Sequence, residues 1–367
     1  MTEQELSAYI QAIRPADEAA MEAARRRQAQ LAKPPGSLGQ LEEISIRLAG
    51  VTGQVCPAMG KCRVAVFAAD NGVVAEGVSC TPPAVTMQQA VNMTFRKTGM
   101  SAMAAAFGDD VSVVDVGIDG DVPPVGVLDR KVRRGTGDIA RGAARTGREA
   151  LAAVAAGMEQ AARARADGVT ALGIGEMGIG NTTTSAAVLA ALTGADIEAV
   201  TGRGGGLTDE GFLRKKGVLR RALALHRPDG SDVIGVLAGV GGLDLAAMTG
   251  AFLGCSHERV PAAVDGFISI AAALCAVRLC PAVRDVLFLS HDSYEVGYRI
   301  AAETLGLQPC LRLGMRLGEG SGCPLLFRVL EGACGVMRGM ATFGEASIED
   351  SYLDEIRAVD AFTVEGA

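Results

Sequence analysis

Short apolar runs recur along this chain, and each ends in a polar, glycine-containing turn that leads into a segment of helical length. The runs are residues 64–69, 111–116, 169–174, 234–237, 262–264, 286–289 and 311–313. Continuous apolar runs separated by helices are typical of strands buried on both faces. They predict an α/β fold with a mainly parallel sheet flanked by helices. In such a sheet, ligands bind at the edge formed by the carboxyl ends of the strands.

Four carboxylates stand directly after these runs: Asp70, Glu176, Asp265 and Glu319. Because the carboxyl ends of parallel strands share one edge, we expect these side chains to converge on one cleft. For Asp70 and Asp265 we favour a structural interpretation, as helix caps or turn formers. Glu176 and Glu319 are the candidates for chemistry.

Glu319 lies in the segment LRLGMRLGEGSG, residues 311–322. The apolar part of the segment delivers the carboxylate into a turn made almost entirely of glycine and serine. Such a turn offers little side-chain bulk to hide the carboxylate, which is how a working acid or base is presented. The alternative is an ordinary solvated loop glutamate.

The two ends of the chain are predicted to be helical. Residues 1–30 carry apolar positions at three- and four-residue steps, and a stiff turn at 33–39 precedes a second helix at 40–52. After Pro324 the chain is again helical and ends in a short acidic tail. We predict a small helical domain built from residues 1–60 and 325–367, and an α/β domain of residues 61–324 that carries the active site.

Composition excludes several classes of function. A net charge of -7 argues against nucleic acid or an anionic membrane as the main partner, since both select for basic patches. Alanine-rich runs are too short to span a bilayer. The nine cysteines form no C-x-x-C pair and the three histidines are far apart, so no metal site is expected. Reduced, mostly buried thiols indicate a cytoplasmic protein.

Two glycine-rich segments are candidates for binding a phosphate. In the first, residues 178–184, a glycine turn enters a helix whose unpaired amides and dipole suit an anion. Its candidate residues are Gly180, Asn181, Thr182 and Thr183. The alternative is plain N-capping of the helix.

The second segment covers residues 201–207. Its glycines let the backbone approach a ribose phosphate, and an ammonium from the following helix supplies charge. Its candidate residues are Gly202, Arg203, Gly204, Gly205 and Lys215. A flexible loop with a solvated lysine is the alternative.

A different enzyme class is suggested by residues 173–178, which match G-x-G-x-x-G. A dinucleotide site of this kind also needs an acidic residue at the end of the next strand, about 20 residues on. Asp196 and Glu198 stand near that distance but follow an alanine-rich run of helical character. The glycine pattern makes a nicotinamide-dependent oxidoreductase the competing hypothesis, and the position of these acidic residues after a helical run counts against it.

Seven motifs taken together resemble the nicotinate-nucleotide:dimethylbenzimidazole phosphoribosyltransferase family of cobalamin lower-ligand synthesis. They are ADNGVVAEGVS, VTMQ, GEMGIGNTTT, TGRGGG with Lys215, LAGVGGLDLAAMTG, SHDSYEVGY and MRLGEGSG. The resemblance implies a Rossmann-like parallel sheet with a small helical domain built from both chain ends. It also implies a homodimer that transfers phosphoribose from nicotinate mononucleotide to 5,6-dimethylbenzimidazole. The products are α-ribazole 5′-phosphate and nicotinate. No cofactor or metal is implied.

The resemblance also implies roles for particular residues. The family's catalytic carboxylate falls on Glu319 and its second functional carboxylate on Glu176. Base-pocket residues fall on Ser79 and Gln88, and the phosphate site falls on the two glycine segments and Lys215.

Four positions depart from residues usual in the family: Asn71, Asp292, Tyr294 and Tyr298. They leave the accepted base open among dimethylbenzimidazole, benzimidazole and adenine. A non-enzymatic alternative is a partner subunit that has lost activity. The presence of Glu319, Glu176 and Lys215 argues against that alternative.

Overall fold

The computed structural model of the protein describes residues 1–123 and 125–354. Six strands form one sheet: β1 Cys62–Ala69, β2 Asp110–Gly117, β3 Val127–Asp129, β4 Ala171–Met177, β5 Ala262–Val264 and β6 Leu287–Leu289. The helices are α1 Glu3–Ala12, α2 Glu18–Gln30, α3 Gln40–Thr52, α4 Val85–Thr94, α5 Gly99–Phe107, α6 Gly147–Ala166, α7 Asn181–Thr193, α8 Ile197–Val200, α9 Asp209–His226, α10 Val233–Val240, α11 Leu243–Glu258, α12 Phe267–Leu279, α13 Gly297–Leu305 and α14 Cys323–Gly339.

The strands are all parallel and lie in the order β3-β2-β1-β4-β5-β6. This order confirms the predicted Rossmann-like α/β fold. The chain changes direction across the sheet between β1 and β4, where Phe67 pairs with Glu176 and Ala68 with Met177. In sheets of this kind the crevice outside such a reversal is where ligands bind.

Two predicted strands were wrong. Residues 234–237 belong to the helix α10, whose start is capped by Asp232 accepting from the Gly235 amide at 2.8 Å. A short run that is apolar throughout fits a buried helix as well as a buried strand, so its hydrophobicity does not distinguish them. Residues 311–313 make one parallel bridge, Leu311 with His291, and then leave the sheet.

Other boundaries also differ from the prediction. The edge strand β3 is only three residues long and was missed. The predicted strand 169–174 is instead β4, which continues to Met177 and therefore places Glu176 on the strand itself. The predicted helix 1–30 is divided into α1 and α2, because residue 14 precedes Pro15 and is disfavoured in helical geometry.

The helices α6 and α11 pack against each other unusually closely. A Cβ placed on Gly157 would lie 1.7 Å from the carbonyl oxygen of Ala247, and one on Gly250 would lie 1.9 Å from that of Val154. Only glycine fits at either position, so the two backbones touch. This contact fixes the start of α11, which lies behind the crevice.

Residues from both chain ends pack into a second, smaller apolar cluster. It contains Ala20, Ala24, Leu31, Ile46, Ala49 and Met337. The helix α14 links this cluster to the main core, because Cys323 and Phe327 near its start pack under the sheet while Met337 lies at its far end. The division into domains 1–60 plus 325–367 and 61–324 remains a prediction, and residues 355–367 lie outside the described part of the chain.

Among the described residues no helix is both long and apolar enough to cross a membrane. Within the same part of the chain, no group of three or more His, Cys, Asp or Glu side chains is arranged to hold a metal ion.

Candidate active site

A cavity of about 250 Å³ opens at the carboxyl edge of the sheet. Its walls come from the segments that follow β1, β4, β5 and β6, together with the loop that precedes α9 and the turn before α14. Three of the four carboxylates singled out from the sequence line it: Glu176, Asp265 and Glu319. Asp70 does not, because its carboxylate accepts a hydrogen bond from the Asp119 amide at 2.8 Å. The predicted convergence is therefore correct for three residues and wrong for Asp70.

Glu319 is buried at the cavity wall, with only 5% of its surface exposed, and not held out on a loop as the sequence suggested. Its Oε1 accepts a hydrogen bond from Nε2 of Gln89 at 3.4 Å, and its Oε2 accepts one from the Met100 amide at 3.3 Å. Burial raises the pKa of the carboxyl group. Two long hydrogen bonds leave lone pairs free for a third partner, as a proton acceptor requires.

The turn that carries Glu319 is strained and tightly packed. Gly318, Glu319 and Gly320 all have positive φ angles, of 82°, 63° and 85°. This geometry is uncommon for a residue with a Cβ and is a feature of functional sites. Asp265 holds the turn in place by accepting hydrogen bonds from the Gly322 amide at 2.7 Å and the Gly320 amide at 3.1 Å. The turn-forming interpretation of Asp265 is therefore the correct one.

Glu176 lies next to this turn at the end of β4. Its Oε1 accepts a hydrogen bond from the Glu319 amide at 3.3 Å, and its Oε2 accepts one from Nδ2 of Asn181 at 2.5 Å. Burial raises the pKa of Glu176 to about 8, and the nearby carboxylates of Asp244 and Asp265 contribute to that rise. This carboxyl group is therefore much more easily protonated than an exposed glutamate.

The first glycine segment forms the N-terminus of α7. Gly180 is the N-cap residue and no side chain caps the helix. Gly180, Asn181 and Thr182 line the cavity, whereas Thr183 is fully buried behind it. An uncapped helix start that faces a cavity is a site for an anion.

Lys215 reaches this region from α9. Its Nζ donates to Oγ1 of Thr182 at 2.8 Å and to the carbonyl of Gly202 at 3.1 Å. The side chain is completely buried, and burial lowers its pKa to about 8. Lys215 is thus a fixed cation that joins the two glycine segments and not the solvated lysine of the alternative interpretation.

The second glycine segment contributes Arg203, Gly204 and Gly205 to the cavity lining. The guanidinium group of Arg203 is already engaged, donating to the Leu207 carbonyl at 3.0 Å and to Asp209 at 2.5 Å. Gly202 lies behind the lining, where a Cβ would lie 1.6 Å from a carboxylate oxygen of Glu295. The backbone of this segment, more than its arginine, therefore faces the cavity.

Of the two predicted base-binding residues, Ser79 lines the cavity and Gln88 does not. Gln88 lies on α4 outside the cavity, and the next residue, Gln89, lines it and contacts Glu319. Adjacent residues of a helix point about 100° apart, so a shift of one position moves a side chain out of the site. Gln89, and not Gln88, is therefore the glutamine of α4 that lines the cavity, and a role for Gln88 in binding the base stays a prediction.

The G-x-G-x-x-G match does not form a dinucleotide-binding turn. Gly173 and Gly175 lie within β4, and a Cβ on them would lie 2.5 Å from Cβ of Cys323 and 2.6 Å from the Glu319 carbonyl oxygen. These glycines allow α14 and the Glu319 turn to pack on the strand. A dinucleotide site also needs an acidic residue at the end of the next strand, but Asp196 instead caps the helix α8.

Sequence reasoning gave no role to several residues of the site. His291, Glu295 and Arg316 line the cavity, and Asp244 lies buried behind it. Asp244 stands after the glycine pair 241–242 at the start of a helix, a pattern that was interpreted as the end of a strand. The other three lie within the motifs SHDSYEVGY and MRLGEGSG, but no local pattern distinguishes them there, because only the tertiary fold brings these irregular segments together.

The four departures from the family pattern are distributed unevenly. Asn71 is buried and accepts a hydrogen bond from Oγ1 of Thr184 at 3.3 Å. Tyr298 is buried, and Tyr294 is 69% exposed with the Arg316 guanidinium over its ring. Neither Asp292 nor Tyr294 lines the cavity.

The fold and the cavity together define a class of protein. A Rossmann-like parallel sheet carries, at its topological switch point, buried carboxylates beside an uncapped helix start and a buried lysine. This combination is typical of an enzyme whose site binds a small anionic ligand beside carboxylates.

Comparison with known proteins identifies the family. A family model described as phosphoribosyltransferase matches residues 13–348. The nicotinate-nucleotide–dimethylbenzimidazole phosphoribosyltransferases of Clostridium perfringens and Geobacter metallireducens are each 45% identical to this chain, covering 93% and 94% of it and 94% and 98% of their own lengths. The crystal structure of the enzyme of that name from Thermus thermophilus matches with a TM-score of 0.87 and 45% identity over 91% of this chain and 100% of that one. The chain belongs to the nicotinate-nucleotide–dimethylbenzimidazole phosphoribosyltransferase family, and it is a pentosyltransferase.

Proposed function

We propose that the protein transfers phosphoribose from nicotinate mononucleotide to 5,6-dimethylbenzimidazole or a related aromatic base, giving α-ribazole 5′-phosphate and nicotinate for the nucleotide loop of cobalamin. The observation that carries the proposal is the presence, in one cavity, of Glu319, Glu176 and the Thr182 turn to which Lys215 is bonded. A base, an anion site and a second carboxylate are the parts that this transfer needs. The enzymes matched above carry this activity in their names.

Glu319 is the general base in this proposal. The incoming benzimidazole is a neutral nucleophile that becomes positive as one ring nitrogen attacks the anomeric carbon. A carboxylate at the other ring nitrogen removes the proton carried by that nitrogen, so that the ring becomes neutral again. General-base catalysis of this kind is worth about 10²–10⁴-fold in rate. The raised pKa of Glu319 makes it a stronger proton acceptor than an exposed glutamate.

The leaving group needs no general acid. Nicotinate is held in the substrate as a cationic pyridinium and departs with a neutral ring nitrogen. Because the leaving group already carries the activating charge, the proposal needs no metal or cofactor. Attack on the face opposite nicotinate converts a β linkage into an α linkage in one displacement.

Glu176 faces the positive charge in this mechanism. The sugar acquires oxocarbenium character as the bond to nicotinate breaks, and an ionised carboxylate stabilises it electrostatically. Glu176 is fixed for this purpose by the Glu319 amide and by Asn181. The phosphate is held by the start of α7, by the 203–205 backbone and by the charge of Lys215.

Two further parts of the proposal concern the whole molecule. Large apolar side chains are exposed on the two segments that contribute Glu295 and Arg316 to the cavity lining, including Leu313 at 56%, Leu317 at 57% and Val296 at 53%. Contact with a second copy of the chain would cover them, which supports a homodimer. The nine cysteines are all free, which supports a cytoplasmic location.

The test is to incubate the purified protein with nicotinate mononucleotide and a panel of bases, including dimethylbenzimidazole, benzimidazole and adenine. Mass spectrometry identifies the products and NMR of the anomeric proton assigns the linkage. We expect an α-linked ribotide and free nicotinate. Absence of any ribotide, or tight binding of NADH in place of nicotinate mononucleotide in a fluorescence titration, would contradict the proposal.

A further inference from the structure

A second buried carboxylate lies directly behind Glu176. Asp244 is fully buried in the first turn of α11 and does not line the cavity. Asn181 bridges the two carboxylates, because its Nδ2 donates to Oε2 of Glu176 at 2.5 Å and to Oδ2 of Asp244 at 3.1 Å. An amide NH₂ has two hydrogens, so both are used in joining the carboxylates.

Two negative charges on this pair would be costly. Both side chains are buried and share one amide group, and like charges so close together in a low-dielectric environment keep one proton between them. Asn181 is neutral and cannot compensate the second charge. The arrangement therefore holds one proton near neutral pH, and its position depends on which carboxylate is better stabilised as an anion.

The surroundings favour the negative charge on Asp244. Its Oδ1 accepts a hydrogen bond from the Leu245 amide at 2.9 Å, at the positive end of the α11 dipole. The buried guanidinium group of Arg145 contributes an attractive charge, and none of its three nitrogens has a hydrogen-bond partner among the described residues. Glu176 receives, besides Asn181, the 3.3 Å hydrogen bond from the Glu319 amide.

We propose that Asp244 is a positioning residue, which carries the negative charge of the pair in the free enzyme and so leaves Glu176 protonated at the cavity wall until a nucleotide with a cationic pyridinium ring binds. The proton of Glu176 then passes to solvent, and its carboxylate faces the positive charge of that ring. The identity of the nucleotide as nicotinate mononucleotide rests on the proposed function. The charge distribution in the empty site does not.

The charged groups around the pair are consistent with this assignment. Asp265 and the adjacent His291 lie in the segments after β5 and β6, and Glu319 lies in the turn before α14. Asp244 itself belongs to α11. Arg145 lies before α6, with Glu149 and Arg133 as its charged neighbours. Of these, the carboxylates of Asp244 and Asp265 add to the effect of burial in raising the pKa of Glu176. Burial raises the pKa of Asp244 as well, and the hydrogen bonds from Asn181 and Leu245 and the charge of Arg145 oppose that rise.

The experiment is a ¹³C NMR titration of the free enzyme labelled at the glutamate and aspartate carboxyl carbons. The Glu176→Gln and Asp244→Asn variants assign the two signals by their disappearance. In the wild type we expect Glu176 to titrate at a pH of about 8 and Asp244 to lose its proton at a lower pH than Glu176. An Asp244 signal that titrates after that of Glu176 would overturn the proposal. A wild-type Glu176 signal that is already ionised at pH 6 would overturn it even if Asp244→Asn does not fold.

In Asp244→Asn, the pKa of Glu176 should fall by about one unit, a tenfold increase in its acid dissociation constant, because a negative neighbour has been removed. Asp115→Asn is the matched control, since Asp115 is similarly buried near the end of β2 but does not line the cavity. Asp115→Asn should leave the titration midpoint of Glu176 unchanged. An unchanged Glu176 midpoint in a folded Asp244→Asn variant would refute the positioning role.

Calorimetry of nicotinate mononucleotide binding at pH 7, in buffers of different ionisation enthalpy, gives the second measurement. We expect proton release on binding to the wild type and less release in Asp244→Asn. Equal release in both would refute the role of Asp244. The NMR result concerns the empty enzyme, so failure of the transfer assay and failure of this proposal are distinguishable.

Discussion

The backbone amide of Glu319 donates a hydrogen bond to Oε1 of Glu176 at 3.3 Å, although 143 residues separate them. Through this contact the proposed general base and the carboxylate that faces the sugar share one rigid unit. The positive φ angles of Gly318, Glu319 and Gly320 bring the amide into position, and Asp265 holds the turn from below. The geometry of each carboxylate therefore depends on the other.

Replacing Gln89 should impair turnover more than replacing Gln88. Gln89→Ala removes the hydrogen bond to Oε1 of Glu319. A hydrogen bond to a charged group contributes about 1.5–3 kcal/mol, and for this long one we expect a loss of about tenfold in kcat. Gln88→Ala, on the adjacent position outside the cavity, is the control and should keep wild-type kinetics. The reverse order of effects would restore Gln88 as the residue in the site.

Lys215 should control the affinity for the phosphorylated substrate. Lys215→Met keeps the buried volume and removes the charge, so we expect the Kd of nicotinate mononucleotide to rise by about tenfold or more, with a smaller change in kcat. Because burial lowers the pKa of Lys215 to about 8, loss of its charge should weaken binding of the phosphorylated substrate by the wild type as the pH rises above 8. Lys215→Met should lack this loss of affinity above pH 8.

Lys216→Met is the control for that experiment, because Lys216 forms an ion pair with Glu198 and does not line the cavity. Isothermal titration calorimetry between about pH 6.5 and 9.5, spanning the titration of a buried lysine, measures all three proteins. Equal affinities for wild type and Lys215→Met would remove the phosphate assignment.

Much of this arrangement could be anticipated from the sequence, because the apolar runs and the turns that end them are local features. The sheet, the edge that carries the site, and Glu176 and Glu319 follow from such features. Helix phase is harder to predict: the VTMQ motif marks α4, but only the packed helix shows that Gln89 and not Gln88 faces Glu319. Asp244 was not assigned a role because its contact with Asn181 joins α11 to α7, elements far apart in sequence.

Glu176→Gln should stabilise the protein at alkaline pH. The folded-state pKa of Glu176, about 8, exceeds the ordinary value of 4.5, so the contribution of its protonated form is complete below pH 4.5 and is lost as the pH rises through 8. Glutamine never ionises and avoids this loss. Thermal unfolding should show a Tm gain of roughly 5 °C at about pH 9 over the wild type and little gain at about pH 5.

The exposed variant Glu303→Gln should change Tm equally at both pH values, since Glu303 lies at the surface on α13. If the difference in Tm between Glu176→Gln and the wild type does not increase with pH, the raised pKa of Glu176 is incorrect.

A methyl group at position 318 should disturb catalysis through Glu176. Gly318 has a φ of 82°, and a Cβ there would lie 2.5 Å from Oε1 of Glu176. Gly314 also has a positive φ, of 63°, but a Cβ there would meet no atom within 4 Å. Both alanine variants carry backbone strain of about 1–2 kcal/mol, so both should lower Tm.

Gly318→Ala alone should lower kcat, by about tenfold, because it displaces a carboxylate of the site. Steady-state kinetics of the two variants side by side separate strain from displacement. Similar kcat values in both would show that the position of Glu176 does not matter to the reaction.

The central claim, that Glu319 removes the proton from the attacking base, is tested most directly by the single-turnover rate of α-ribazole 5′-phosphate formation in Glu319→Gln. Glutamine keeps the size of the side chain and can still bond to Gln89, so nicotinate mononucleotide should bind with wild-type affinity. The account predicts a rate lower by about 10²–10⁴-fold. A rate within about threefold of the wild type, at saturating concentrations of both substrates, would contradict it.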